Sequence, residues 1–246
     1  MLAVRAKYRL CELFGIPVYV EFSFLLLLAI FVFNAGSFVY GLAFALMLAV
    51  SVVFHEFAHS LTARAFGYHT RDITISLLGG CASLIALPRK GWQEFLTAVA
   101  GPLSSFALSV ALLVALPHVP EGSVLSPVVA YGFYMNFWLG LFNLLPGFPL
   151  DGGRVFRSVM LAFTSRAKAT WIAMWVGRIV AVLLALSGLH AMMNGGSFAF
   201  IRILIAWMIW REGYREYLLE RAVSDWREWT QDDFRAKVSP PPYERD

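Results

Sequence analysis

Six stretches of nearly unbroken apolar residues alternate with short polar ones, at 22–34, 38–66, 95–116, 125–145, 169–193 and 198–210. All outrun the four to eight residues of a buried strand and read as helices. A helix needs about 20 residues to cross a hydrocarbon layer, so the middle four are long enough and the first and last are short. A second pattern interrupts the first. GIPVYV at 15–20 and RDITISLLGGCASLIAL at 71–87 are rich in β-branched residues punctuated by glycine. These segments predict a small sheet of three or four strands. The expected fold class is a membrane protein, mainly α, with six transmembrane helices and a small β-sheet near the cytoplasmic face.

Charge orders the spans. The connections NAGS, PHVPEG and NGGS carry no Lys or Arg. Basic residues instead gather before the first span (Arg5, Lys7, Arg9), after the second (Arg71, Arg89, Lys90), after the fourth (Arg154, Arg157, Arg166, Lys168) and in the tail. Lys and Arg mark cytoplasmic loops, which places both termini in the cytoplasm. Arg178 and Arg202 fall inside spans and are expected to snorkel toward an interface. The chain is 59% hydrophobic and 15% charged, against about 25% charged in soluble domains. Its net charge of +4 forms no basic face, so no nucleic-acid partner is expected. Cys11 and Cys81 fit no metal-binding spacing and read as unpaired thiols. The basic amino-terminal segment leads into a retained span rather than a cleavable signal.

One span carries chemistry. FHEFAHS contains HExxH, which on a helix puts His55 and His59 one turn apart on one face, able to reach one metal. Glu56 sits beside the first ligand, placed to move a proton without being a ligand itself. A pair of histidines hydrogen-bonded inside a bundle is the bland alternative, but ionisable groups within a span are costly and usually functional. His59 lies eight residues before Gly67, about 12 Å from the inner end at ~1.5 Å per residue. Solvent must therefore reach it from the cytoplasmic side.

A catalytic zinc takes three protein ligands and an open position. His118 and His190 fall at outer loops; His69, just past the second span, ranks second as third ligand. Asp151 in NLLPGFPLDGGR ranks first. The fourth span runs inward, Pro146, Gly147 and Pro149 break it, and irregular backbone at membrane depth is tolerated only where it lines protein or a water cavity. Asp151 could otherwise cap the helix that follows. Glu21 and Glu94 read as boundary residues.

FHEFAHS, LLGGCASL, AVAGPLSS and NLLPGFPLDGGR together resemble the site-2 protease family of intramembrane zinc metalloproteases, from about residue 15 to about 217. The resemblance implies one zinc per chain held by His55, His59 and Asp151, with Glu56 as catalytic acid/base and Asn143 holding substrate backbone. It implies a six-span core at 1–210, followed at 211–246 by a charged cytoplasmic tail, helical and then disordered. Neither a PDZ nor a CBS domain is expected. Where the family usually has an Asn shortly after AGP, this chain has Ser104 and Ser105, a departure expected to affect local packing or substrate contacts and not the metal site. The implied activity is hydrolysis of peptide bonds within or next to transmembrane segments, for regulated proteolysis or clearance of signal-peptide remnants. The implied setting is the cell membrane of a prokaryote. Partners would be the lipid bilayer, a transmembrane protein or peptide substrate and a regulatory membrane partner. The strands around 74–83 offer an edge for an unwound substrate. The tail's Tyr214, Tyr217, Leu218, Trp226 and Trp229 suit either an interfacial or a solvated helix. A membrane metal carrier is the main rival, since it too would gather His and Asp. An inactive relative and a membrane oxidase fit less well; the oxidase needs more than the five histidines present.

Overall fold

The computed structural model describes residues 7–34, 36–76, 79–84, 88, 90–195 and 199–238, with the side chains of 31, 34, 79–84 and 227–238 left aside. The chain forms two compact units, Met1–Leu145 and Pro146–Asp246.

The first unit opens with a β-hairpin, β1 (Lys7–Leu13) and β2 (Ile16–Glu21), turned at Phe14 and Gly15, both with positive φ. A paired left-handed turn suits the strand twist, and Gly15 adopts it without a Cβ penalty. Helices α1 (Phe22–Asn34) and α2 (Phe38–Ala65) then carry the chain to β3 (Thr70–Ser76) and β4 (Gly79–Leu84). The sheet order is β1-β2-β3-β4, with β2 and β3 parallel and the outer pairs antiparallel. The expected small sheet is thus present, and β1 is an addition to it. KYRLCEL is exposed along its whole length, so it has no buried face to impose the alternation that reveals a strand.

The inner face of the sheet (Ile16, Val18, Val20, Ile73, Ile75) packs with Phe24, Val52 and Phe57 into one core. The lower half of α2 is thereby fixed from one side. Its end is sharp. Gly67 is left-handed, its N–H bonds the Arg64 carbonyl at 2.9 Å, and the Tyr68 N–H bonds the Ala63 carbonyl at 3.0 Å. This is a Schellman stop. Arg64 also donates to the Phe14 carbonyl at 2.7 Å, tying the helix end to the hairpin turn. Helices α3 (Gly91–Ala115) and α4 (Leu125–Asn143) complete the unit. At Gly140 an added Cβ would lie 3.1 Å from the Pro102 carbonyl oxygen, so α3 and α4 pack close there.

The second unit holds α5 (Asp151–Met160), α6 (Arg166–Met193) and α7 (Ala199–Val238). Gly188 on α6 meets the Ala199 carbonyl and Ile203, so a side chain there would force the two long helices apart. Buried Arg157 on α5 donates to Glu216 on α7 at 2.7 Å, and Arg166 pairs with Glu220 at 3.2 Å. The last apolar run continues without a break into the charged tail, so α7 is 40 residues long. The disordered end expected for the tail, 239–246, lies outside the described residues.

Among the described residues, four helices are long and apolar enough to cross a membrane: Phe38–Ala65, Gly91–His118, Leu125–Asn143 and Arg166–Met193. The protein is therefore a mainly helical membrane protein. At 13 residues α1 extends only about 20 Å.

Candidate metal centre

HExxH sits in α2, on the stretch braced by the sheet core, and His55, Glu56 and His59 are all buried. The Nε2 atoms of His55 and His59 lie 3.1 Å apart. Two imidazoles on one tetrahedral zinc, with Zn–N of about 2.0–2.1 Å, would hold their nitrogens roughly 3.3–3.4 Å apart. The rings are thus nearly at ligating separation before any ion is considered.

Helix α3 supplies the second layer through one stripe, Thr97, Gly101 and Ser105, spaced four apart. His59 Nδ1 lies 2.7 Å from the Thr97 carbonyl oxygen. A carbonyl only accepts, so Nδ1 carries the proton and Nε2 keeps its lone pair. His55 Nδ1 lies 2.9 Å from Ser105 Oγ. A hydroxyl gives or takes, so with a cation at Nε2 the ring donates to Ser105 through Nδ1. Gly101 makes the space. A Cβ there would stand 2.2 Å from His59 Nε2 and 2.6 Å from His55 Nε2, where no side chain fits. The bland alternative, a mutual bond between two ring nitrogens, explains the 3.1 Å separation alone. It gives no reason for a glycine against both lone-pair sites or for partners at both Nδ1 atoms. The donor chemistry fits zinc.

The other predicted residues are placed as follows. Asn143 is the last residue of α4, and its Nδ2 donates to the Leu139 carbonyl at 2.9 Å. His69 is exposed, in the connection beyond the end of α2. In the second unit Asp151 is the first residue of α5, buried, with Leu150 rather than Asp151 as N-cap. The bend before it is tightly packed: a Cβ on Gly153 would lie 2.7 Å from the Gly147 carbonyl carbon. Thr97, Gly101 and Ser105 were not singled out as site residues from the sequence. Their spacing of four across TAVAGPLSS is the available signal. Ser105 stands in the segment where the family pattern is departed from, and it contacts a motif histidine directly.

The family model of peptidase family M50 matches residues 43–123 and 117–187, more than half of the chain. The chain belongs to this family, the site-2 proteases. A site-2 protease from Methanocaldococcus jannaschii is similar in structure, with a TM-score of 0.65 and 29% identity, over 86% of this chain and 95% of that one. A zinc metalloprotease of the same archaeon is 32% identical over 186 residues, 75% of this chain and 54% of the relative. A Synechocystis protein with a provisional zinc metalloprotease name is 35% identical over 218 residues, 82% of this chain and 57% of the relative. The chain thus spans a little over half the length of these two curated relatives. The names of both relatives give zinc as the metal, in agreement with the donor chemistry of α2.

Proposed function

We propose that this chain is an intramembrane zinc metalloendopeptidase that cuts membrane-protein substrates within or beside their transmembrane segments. One observation carries the reading: two buried imidazoles with Nε2 atoms 3.1 Å apart, next to a buried glutamate, in a helix fit to span a membrane. His55 and His59 hold the zinc, and Asp151 supplies the third ligand. A carboxylate suits that role, and Asp151 opens α5 directly after the backbone that Pro146 and Pro149 break. Zinc, when bound, supplies a Lewis acid that polarises the scissile carbonyl and makes water easier to deprotonate. Glu56 takes the proton from water and returns it to the nitrogen of the departing amine. Thr97 and Ser105 keep the two imidazoles turned with Nε2 toward the metal. Asn143 binds substrate backbone; its Nδ2 keeps one N–H beyond that given to Leu139.

A transmembrane helix hides its carbonyls in its own hydrogen bonds and must unwind before cleavage. β4 is at one end of the sheet order, so its outer edge offers backbone groups to an extended segment. The Lys and Arg distribution supports six spans, both termini and the sheet on the cytoplasmic side, and entry of water from there. The relatives from Methanocaldococcus and Synechocystis support a prokaryotic cell membrane as the setting. The charge and hydropathy support the bilayer and a transmembrane substrate as partners, with a regulatory membrane partner added and nucleic acid excluded. Regulated signalling cleavage and remnant clearance are both consistent with this chemistry.

The test is zinc content together with cleavage of a transmembrane reporter in proteoliposomes. Glu56→Gln is expected to keep about one zinc per chain while cleavage falls roughly 10²–10⁴-fold. Asp151→Asn should lower both. Undiminished cleavage by Glu56→Gln would sink the hydrolase reading, and metal transport that survives Glu56→Gln would favour a carrier.

A further inference from the structure

We propose that the α6–α7 pair carries a binding site for the phosphate of an anionic phospholipid, with Arg178 as the group that contacts it. Arg178 is in α6, a helix fit to cross the membrane. Its guanidinium stands over three rings, Trp175 at 4.7 Å, Trp210 at 4.7 Å and Tyr214 at 5.7 Å. Its Nε is buried with no hydrogen-bond partner. Among the described residues no carboxylate pairs with it. The glutamates of the facing stretch of α7 are engaged elsewhere: Glu212 with Arg211 and Arg215, Glu216 with Arg157, Glu220 with Arg166. Ring faces offset part of the charge but accept none of the five N–H donors in the way an oxygen does.

Depth and chemistry name the missing acceptor. α6 has 28 residues, about 42 Å at ~1.5 Å per residue, against a hydrocarbon layer of about 30 Å. With Met193 at one surface, the opposite boundary falls near Met174. Trp175 then lies at that boundary, and Arg178 about one turn inside it. A guanidinium there reaches the headgroup level, where phosphate oxygens are the concentrated anions. Trp175, Trp210 and Tyr214 are each 45–47% exposed in the protein alone, as rings at a lipid interface are. A guanidinium fork matches a phosphate bidentately, which water alone would not require.

The experiment is native mass spectrometry of the full chain in detergent, titrated with phosphatidylglycerol or phosphatidylcholine. Wild type is expected to hold one phosphatidylglycerol about fivefold more tightly than phosphatidylcholine. Arg178→Gln should bring the two to parity, while Arg211→Gln, whose guanidinium already neighbours Glu212, should keep the preference. Short-chain phosphatidylglycerol should displace the bound lipid where inorganic phosphate at equal concentration does not. Equal binding of both lipids by wild type overturns the proposal. So does an unchanged preference in Arg178→Gln, or displacement by phosphate alone. Wild-type selectivity and displacement decide the matter even if Arg178→Gln folds poorly.

Discussion

The histidines of the first unit and the inward arginines of the second are held in opposite ways. In the first, the histidines of α2 are met by a backbone carbonyl, a hydroxyl and a glycine. In the second, Arg157, Arg166 and Arg178 are met by carboxylates or by ring faces. The difference follows from what each side chain can do. An imidazole can stay neutral, so dipolar partners suffice to fix its tautomer, and its lone pair is kept for a cation. A guanidinium cannot shed its proton, so each one drawn into apolar surroundings needs an opposite charge or a polarisable face. The α2 histidines are arranged to receive a positive charge, whereas Arg157, Arg166 and Arg178 have the charge they already carry offset where they stand.

The sharpest way to break this comparison is to fill the space beside the imidazoles. Gly101→Ala places a methyl on backbone that cannot retreat, 2.2 Å from His59 Nε2. At least one ring must swing away. Zinc content by elemental analysis should fall from about one per chain to near none, and cleavage should go with it. If Gly101→Ala retains full zinc, the two Nε2 atoms are not the ligating pair.

The next effect belongs to the second unit. The Arg157 side chain is 2% exposed, and its partner Glu216 is 32% exposed. Glu216→Gln takes a carboxylate away from a buried cation that also stands over the Phe148 ring, 5.0 Å from its centroid. Loss of such a pair costs up to about 3–5 kcal/mol when both partners are buried; with one partner a third exposed, about 2 kcal/mol is expected. Thermal unfolding in detergent measures it. Glu216→Gln should leave the preference for phosphatidylglycerol in place, because Arg178 does not use this carboxylate.

Much of this was legible in the sequence, and what was not has a common cause. HExxH is a local pattern, because ligands one turn apart need only a helix. NLLPGFPLDGGR could be read because two prolines and a glycine announce broken backbone before an acid. The Thr97, Gly101 and Ser105 stripe was hidden. Small residues every fourth position are the ordinary dress of packed membrane helices, and only the facing helix reveals which of them touches a histidine. Arg178 read as a snorkelling residue for the same reason. Two of its three rings, Trp210 and Tyr214, come from α7, and sequence distance concealed the cage. The exposed strand β1 lacked a buried face to advertise it.

The smallest effects separate support of the metal from support of the bundle. Ser105 Oγ lies 2.9 Å from His55 Nδ1, and Ser51 Oγ accepts a hydrogen bond from Asn136 Nδ2, also at 2.9 Å. Both serines are fully buried, and Ser51 precedes His55 by one turn of α2. Asn136 keeps a second bond to the Gly132 carbonyl at 2.8 Å, so Ser51→Ala removes one neutral hydrogen bond between α2 and α4. About 1 kcal/mol of stability is expected to go, with little change in zinc affinity. Ser105→Ala removes a similar bond, but one that holds Nδ1 of the His55 ring. Zinc affinity by chelator competition should weaken about tenfold, the lower end of what loss of a ligand's outer partner costs. Equal zinc loss in the two variants would mean that Ser105 acts through helix packing alone. A tenfold gap at comparable stability assigns its hydroxyl to orienting the imidazole, as dipolar partners in this unit require.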